Sequence, residues 1–221
     1  MNRCPFATWR PGLATKVGYS WAGVAGLKRG EVKHSAEGYW PGIHAGLDNP
    51  NRRASWHFTV GYDRIEQHYE IDAHCWHAGD VGDDGGVAAN LELIGVEHLG
   101  LAHESLTAYQ VDATTRLTRW LAEQWGVTPF VRYGGTPPPS ATWVLAEHNE
   151  VSDTYTACPS GRIPWDAILV ELNGGNDVDN DVRQWLVVAA LFQEAAAWAV
   201  RGKPLPAALQ AQLRYLLASV S

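Results

Sequence analysis

The sequence predicts a mixed α/β domain, in which a central β-sheet is flanked by helices, followed by a C-terminal helical hairpin. Apolar and polar residues alternate over 55–61, as in a strand. Residues 91–97 form a nearly continuous apolar run, as expected for a strand that is covered on both faces. Residues 105–124 place apolar side chains at helical spacing.

The first half of the chain shows local signals for several short elements. Residues 1–27 are rich in Gly, Pro and aromatic residues without a period, so we expect an irregular segment. A short strand should end near 32–34, and a short helix should follow over 39–47. We expect 55–61 to place one face in the core and its single histidine on the other, and to pair through a turn with 65–71.

The second half adds helices and one more strand. Ser105 or Thr107 can cap a helix that runs to about residue 124, with Gly126 as its stop. Residues 142–146 predict a strand, and a further helix should open at Pro164, because proline is tolerated in the first helical turn.

The turn-forming residues at 173–177 mark the clearest break in the chain. We therefore expect a catalytic domain over 1–173, with 1–27 as its irregular N-terminal segment, and a helical appendage over 174–221. A hairpin of that size is too small to be stable alone, so it should dock on the first domain, self-associate or bind the substrate.

Composition excludes several classes of protein. The chain has 221 residues, of which 46% are apolar and 19% charged, so a packed globular body is expected. A net charge of −7 with 17 Lys and Arg argues against a nucleic-acid partner. We see no secretory signal and no apolar run long enough for stable membrane insertion. Three cysteines cannot all pair, and eleven Trp are a weak indication of a glycan.

One segment carries two metal-ligating residue types close together. His148 and Cys158 lie ten positions apart, with turn-forming residues between them, so both can reach one ion. A third ligand must come from elsewhere, and His34 is the strongest candidate. Two His and one Cys suit zinc and leave the fourth tetrahedral position open, as in a catalytic site. The alternative interpretation is that Cys158 is a small buried hydrophobic residue.

Further motifs accompany these residues in a fixed order. The first motif is His34 followed by Ser-Ala-Glu-Gly, and the last is the segment from His148 to Cys158-Pro-Ser. Three motifs stand between them: Ala-Ser-Trp-His-Phe-Thr-Val at 54–60, Trp-His-Ala-Gly-Asp at 76–80 and Ile-Gly-Val-Glu-His at 94–98. The ordered set resembles the zinc-dependent N-acetylmuramoyl-L-alanine amidases of type 2, the group that includes phage endolysins and the animal peptidoglycan recognition proteins. The resemblance covers roughly residues 28–172.

The resemblance implies hydrolysis of the amide bond between N-acetylmuramic acid and L-alanine of the peptidoglycan stem peptide, with Zn²⁺ as cofactor. Glu97, at the end of a buried strand, would act as general base; otherwise it is a solvated strand-end carboxylate. Thr156 would donate a hydrogen bond to the developing oxyanion, although many relatives carry Lys there. Several relatives carry Tyr where Trp56 stands, so any phenol chemistry is absent, and alternation favours packing for Trp56.

The remaining histidines have weaker assignments. His57, Trp76 and His77 stand where the family places its substrate groove, and each can be either a substrate contact or a structural residue. We expect His98 and His103 on the surface.

The implied role is host lysis by a phage endolysin. Such a chain would be made in the host cytoplasm without a signal peptide and would reach the cell wall through a separate membrane pore. One alternative is a peptidoglycan-binding module without catalysis, which the intact ligand set opposes and the Trp56 and Thr156 departures leave open. Another is a cytoplasmic amidase that recycles muropeptides.

Overall fold

The computed structural model describes residues 3–18, 28–79, 88–133, 142–152 and 154–174. The strands in these ranges are β1 (Thr8–Trp9), β2 (Val17–Gly18), β3 (Gly30–Ser35), β4 (Phe58–Val60), β5 (Ile65–Gln67), β6 (His74–Cys75), β7 (Leu93–His98), β8 (Phe130–Arg132) and β9 (Trp143–Glu147). The helices are α1 (Trp40–Asp48), α2 (Ala89–Glu92), α3 (Ala108–Trp125), α4 (His148–Val151) and α5 (Trp165–Gly174), with a 3-10 turn at Ala14–Lys16.

Seven of the described strands form one sheet in the order β1-β5-β4-β7-β3-β9-β8. Neighbours in this sheet are parallel except for the β4–β5 pair, which forms the predicted hairpin. Strands β2 and β6 form a separate antiparallel pair. The mixed α/β prediction is confirmed. Because β7, β3 and β9 are parallel neighbours, the segments that follow them meet at one edge of the sheet.

The sheet is covered on both faces. The largest apolar cluster combines strand residues such as Phe58 and Val96 with Leu117 of α3 and Ile168 of α5. A second cluster forms around α1, where Leu47 packs with Trp56. Strand β4 is therefore buried on both faces, and the expectation that only one face of it lies in the core is wrong. The physical reason is that an inner strand of a parallel sheet is covered by a layer on each side.

Helix α3 begins and ends where its residue chemistry predicts. The Thr107 hydroxyl accepts a hydrogen bond from the Gln110 backbone N–H at 3.2 Å, and the Gln110 side chain accepts one from the Thr107 N–H at 3.1 Å. This reciprocal pair satisfies two donors that the first helical turn leaves free. Gly126 ends the helix in the left-handed conformation, with φ of 63°.

The shortest elements differ from the predictions. The segment expected to be irregular contains β1 and β2, the strand expected over 65–71 ends at Gln67, and Leu91 and Glu92 belong to α2. Such short strands are defined by their partners rather than by local pattern, as when Thr8 pairs with Glu66.

The chain separates into two compact units, Met1–Asn173 and Gly174–Ser221. The predicted hairpin after residue 174 and the loop predicted around 137–139 lie outside the described residues, so the domain boundaries and the appendage stay predictions. Among the described helices, none has the length and apolar character needed to cross a membrane.

Candidate metal centre and active site

Three predicted ligands converge at the edge where β3 and β9 end. His34 is the penultimate residue of β3, His148 follows β9 directly, and Cys158 lies in the loop after α4. Their ligand atoms all lie within 4.8 Å of one another. The His34 Nδ1 to Cys158 Sγ distance is 4.0 Å, and the His34 and His148 rings are 4.6 Å apart between centroids. The structure therefore brings together residues separated by more than a hundred positions.

The donor set fits a four-coordinate zinc ion. Imidazole nitrogen and thiolate sulfur atoms that bind one zinc ion tetrahedrally lie roughly 3.5 Å apart. The longest distance between the ligand atoms would therefore shorten by about an ångström when zinc binds. Beside the cluster, Oε2 of Glu97 is buried and has no hydrogen-bond partner among the described residues. A buried carboxylate oxygen without a partner indicates a site that is completed by a water or an ion.

A hydrogen-bond relay sets the tautomer of His34. His77 Nε2 lies 3.2 Å from the Leu93 carbonyl oxygen, which can only accept, so this nitrogen is the donor and His77 Nδ1 is an acceptor. His34 Nε2, 3.2 Å from His77 Nδ1, must then be the donor. This leaves the lone pair on His34 Nδ1, the atom that faces Cys158. Burial lowers the pKa of both rings well below the ordinary value, so His34 is held in the neutral form that binds metal.

Cys158 is held by the backbone of β3. The Ser35 N–H donates to Cys158 Sγ at 3.1 Å. Burial, followed by the nearby Glu97 carboxylate, raises the pKa of the Cys158 thiol to about 12. Burial also lowers the pKa of His148. Without a cation the thiol is therefore protonated at neutral pH, and binding of a metal ion must release that proton.

Glu97 lies directly beside the first ligand. Residues 34 and 97 are paired across the parallel strands β3 and β7, so both side chains project from the same face of the sheet. Burial raises the pKa of Glu97 to about 8, although the guanidinium groups of Arg52 and Arg162 act in the opposite direction. A carboxyl group next to the ligands with a pKa near neutrality has the properties of a general base.

Thr156 lies two residues before Cys158, and its hydroxyl oxygen accepts the Cys158 N–H at 3.2 Å. The hydroxyl proton remains available for a donor role. The residue also lines an open cavity of about 590 Å³ whose other lining residues are Asn149, Ser152, Thr154, Tyr155, Ala157, Ser160 and Gly161. The three predicted ligands and Glu97 are not among the residues that line this cavity.

The three residues predicted to contact substrate have different environments. His57 is buried; its Nε2 donates to the Ala73 carbonyl at 3.0 Å and its Nδ1 accepts from the Gly95 N–H at 3.0 Å. No ring nitrogen of His57 is left for a substrate. His77 is engaged by the relay to His34. Trp76 is 37% exposed, so its role as a substrate contact stays a prediction.

His98 was expected on the surface, and that expectation is wrong. Its ring is fully buried, with Nδ1 3.0 Å from the His34 carbonyl oxygen and Nε2 3.0 Å from the Thr114 hydroxyl. The physical reason is that α3 covers this face of β7. His103 is exposed, as expected. Trp56 is buried and donates to the Thr59 hydroxyl at 2.8 Å, which confirms the packing interpretation.

A buried ion pair lies behind the site and was not predicted. The Lys33 ammonium is 3.0 Å from the Glu31 carboxylate, and both side chains are fully buried. Lys33 also donates to the hydroxyls of Thr114 and Thr118 at 2.8 and 3.0 Å. The sequence did carry a signal for this pair. Glu31 and Lys33 stand two positions apart in a short strand, so their opposite charges project from the same face of the sheet.

Comparisons with known proteins give matching results for sequence and fold. A family model described as N-acetylmuramoyl-L-alanine amidase matches residues 29–161, more than half of the chain. N-acetylmuramoyl-L-alanine amidase CwlH of Bacillus subtilis (strain 168) is 38% identical over 89 residues, which cover 40% of this chain and 32% of that protein. N-acetylmuramoyl-L-alanine amidase XlyA of the same strain is 43% identical over 51 residues, which cover 23% of this chain and 16% of that protein. The chain thus spans a third or less of the length of these curated relatives.

Solved structures show the same fold at low sequence identity. An endolysin N-acetylmuramoyl-L-alanine amidase, LysCS from Clostridium intestinale URNW, has a TM-score of 0.53 and 19% identity, and the match covers 78% of this chain and 99% of that one. A selenomethionine AmpD derivative has a TM-score of 0.59 and 20% identity, covering 77% and 96%. The family model, the shared fold and the ordered motifs agree. The chain belongs to the N-acetylmuramoyl-L-alanine amidase family.

Proposed function

We propose that the chain hydrolyses the amide bond between the lactyl group of N-acetylmuramic acid and L-alanine in peptidoglycan, with zinc held by His34, His148 and Cys158. Membership of the amidase family supports the reaction class. The observation that carries the proposal is the cluster of three ligand atoms within 4.8 Å of one another, with Glu97 paired beside His34. Two neutral imidazoles and one thiolate leave a zinc centre with net positive charge and one open position.

The residues around the centre divide the chemistry between them. Zinc bound there supplies polarisation of the scissile carbonyl and a lowered pKa for the attacking water. A carboxylate oxygen of Glu97 takes a proton from that water and later delivers one to the amine nitrogen of L-alanine, so the products are a free carboxylic acid and a free amine. The Thr156 hydroxyl donates a hydrogen bond to the carbonyl oxygen as it gains negative charge. His77 keeps His34 Nδ1 unprotonated throughout.

The test is mass spectrometry of purified muropeptides after incubation with the zinc-loaded chain. We expect release of the intact stem peptide with a free L-alanine amine. Glu97→Gln should slow release about 10²- to 10⁴-fold, because general base catalysis contributes that much. Glu123→Gln, on the exposed side of α3, is the matched control and should be unaffected.

Two outcomes would contradict the proposal. An unimpaired Glu97→Gln variant would remove Glu97 from the mechanism. Muropeptide binding that survives treatment with a chelator, without release of any new amine, would favour a binding module without catalysis.

We also propose that the intact cell wall, rather than recycled fragments, is the substrate. Support comes from the likeness in fold to a protein named as an endolysin, which is a likeness of fold alone. The two substrates can be separated by two assays: turbidity loss on purified bacterial walls and cleavage of soluble muropeptides. Cleavage confined to soluble muropeptides would favour a recycling amidase. The role in host lysis, the route to the wall and self-association through the C-terminal helices stay predictions.

A further inference from the structure

Arg162, four residues after Cys158, is a buried arginine that none of the sequence patterns singled out. Only 5% of its surface is exposed. Burial of a guanidinium is unfavourable unless its N–H groups find acceptors. The described acceptors are the Glu104 carbonyl at 2.7 Å, the Ser35 hydroxyl at 2.8 Å, and the carbonyls of Leu99 at 2.7 Å and His98 at 3.1 Å. All three nitrogens of the guanidinium are therefore engaged.

The acceptors lie next to the site residues. Ser35 follows His34 at the end of β3, and its backbone N–H is the group that donates to Cys158 Sγ. His98 follows Glu97 at the end of β7. The guanidinium of Arg162 thus joins the loop that carries Cys158 to the two strands that carry His34 and Glu97.

The described residues of this loop, 154–161, have few other attachments to the sheet. Residues 154, 155, 157 and 160 are exposed. A backbone hydrogen bond from the Asn149 N–H to the Cys158 carbonyl, at 2.9 Å, joins the loop to α4. Ser160 has a φ of 61°, which is unfavourable for a residue with a side chain. A loop of this kind holds its conformation only when the surrounding structure imposes it. Arg162 is the anchor at its C-terminal end.

We propose that Arg162 is a positioning residue that holds Cys158 Sγ within ligating distance of His34 and so sets the affinity and geometry of the metal site. The inference rests on the proposed function, because it assumes that a metal ion binds there. Lysine cannot replace the arginine, since one ammonium cannot reach acceptors on three segments that the planar guanidinium spans with separate nitrogens.

The experiment loads the full chain with Co²⁺ and with Zn²⁺, comparing wild type, Arg162→Lys and Arg119→Lys. Arg119 is the matched control, because it donates to a backbone carbonyl of α5 at 3.0 Å, apart from the metal ligands. Absorption of the cobalt form reports thiolate coordination, and competition with a chromophoric chelator reports zinc affinity. We expect Arg162→Lys to lose most of the thiolate-to-cobalt band and to bind zinc about 10- to 100-fold more weakly. Arg119→Lys should match wild type in both.

The outcomes separate the inference from the proposed function. A folded Arg162→Lys variant with the wild-type cobalt spectrum and zinc affinity would overturn the inference alone, because a merely structural arginine changes stability without changing the ligand field. If that variant does not fold, Ser35→Ala removes one acceptor of Arg162, together with the hydrogen bond that the Ser35 hydroxyl donates to Glu37 at 2.5 Å, and an unchanged zinc affinity there would overturn the inference. A wild type that binds neither ion would remove the metal site and this inference with it.

Discussion

Replacing Glu97 with Gln should make the metal-free chain more stable at alkaline pH while it impairs catalysis. Burial raises the pKa of Glu97 from 4.5 to about 8. At about 1.4 kcal/mol for each tenfold change in proton affinity, the folded state disfavours the carboxylate by about 5 kcal/mol. Glutamine has nearly the same shape and does not ionise, so the variant avoids this unfavourable burial.

The direction of this pH dependence follows from how many protons the folded and unfolded states bind. Since the folded pKa is the higher one, the folded state binds more protons than the unfolded state between pH 4.5 and about 8. The stability contributed by this residue is therefore lost as pH rises through that window. The free energy of unfolding of Glu97→Gln should be close to that of wild type at pH 5. Between pH 5 and pH 8 it should rise relative to wild type by roughly 3 kcal/mol.

Urea denaturation of chelator-treated protein at pH 5, 6, 7 and 8 measures the difference, with Glu123→Gln as the exposed control. Added zinc should reduce the difference in stability between Glu97→Gln and wild type, because a cation beside the carboxylate favours its charged form. A difference between Glu97→Gln and wild type that is constant from pH 5 to pH 8 would refute the reasoning, since it would show that Glu97 titrates alike in both states.

Three other predictions address the surroundings of the site. His77→Ala removes the acceptor that fixes the His34 tautomer, so zinc affinity measured by chelator competition should fall about 10- to 100-fold; unchanged affinity would contradict the relay. Lys33→Met leaves the buried Glu31 carboxylate without its cationic partner, with only the Thr118 hydroxyl among the described groups still donating to it, and should lower the free energy of unfolding by about 3–5 kcal/mol in urea titrations. The double variant with Glu31→Leu should recover most of that loss. Thr156→Val removes the proposed oxyanion donor and should lower kcat about 10²- to 10³-fold in muropeptide assays while Thr156→Ser retains activity; equal rates for Val and Ser would exclude that role.

Local chemistry made much of the fold predictable. The cap at Thr107 and the stop at Gly126 involve neighbours three or four residues apart, so the bounds of α3 follow from a few adjacent residues. Short strands such as β1 and β8 could not be found in this way. They exist because a partner strand supplies hydrogen bonds from a distant part of the chain, as β9 does for β8.

The histidines show where prediction from sequence stops. His34, His57, His77 and His98 all lie in or beside strands, and the strand pattern around them does not tell which acceptor each ring will meet. Their roles depend on which acceptor each ring nitrogen meets: Leu93 for His77, Ala73 for His57 and Thr114 for His98.

The sequence by itself determined which donor atoms are present and in what order, because an imidazole nitrogen or a thiol keeps its ligand chemistry in any fold. Only the tertiary structure decided the protonation of these groups. A pKa depends on burial and on nearby charges, and a tautomer depends on a partner atom that can lie far along the chain, as His77 does for His34. The pKa of about 8 at Glu97 and the anchoring of Cys158 through Ser35 and Arg162 are properties of the folded chain alone.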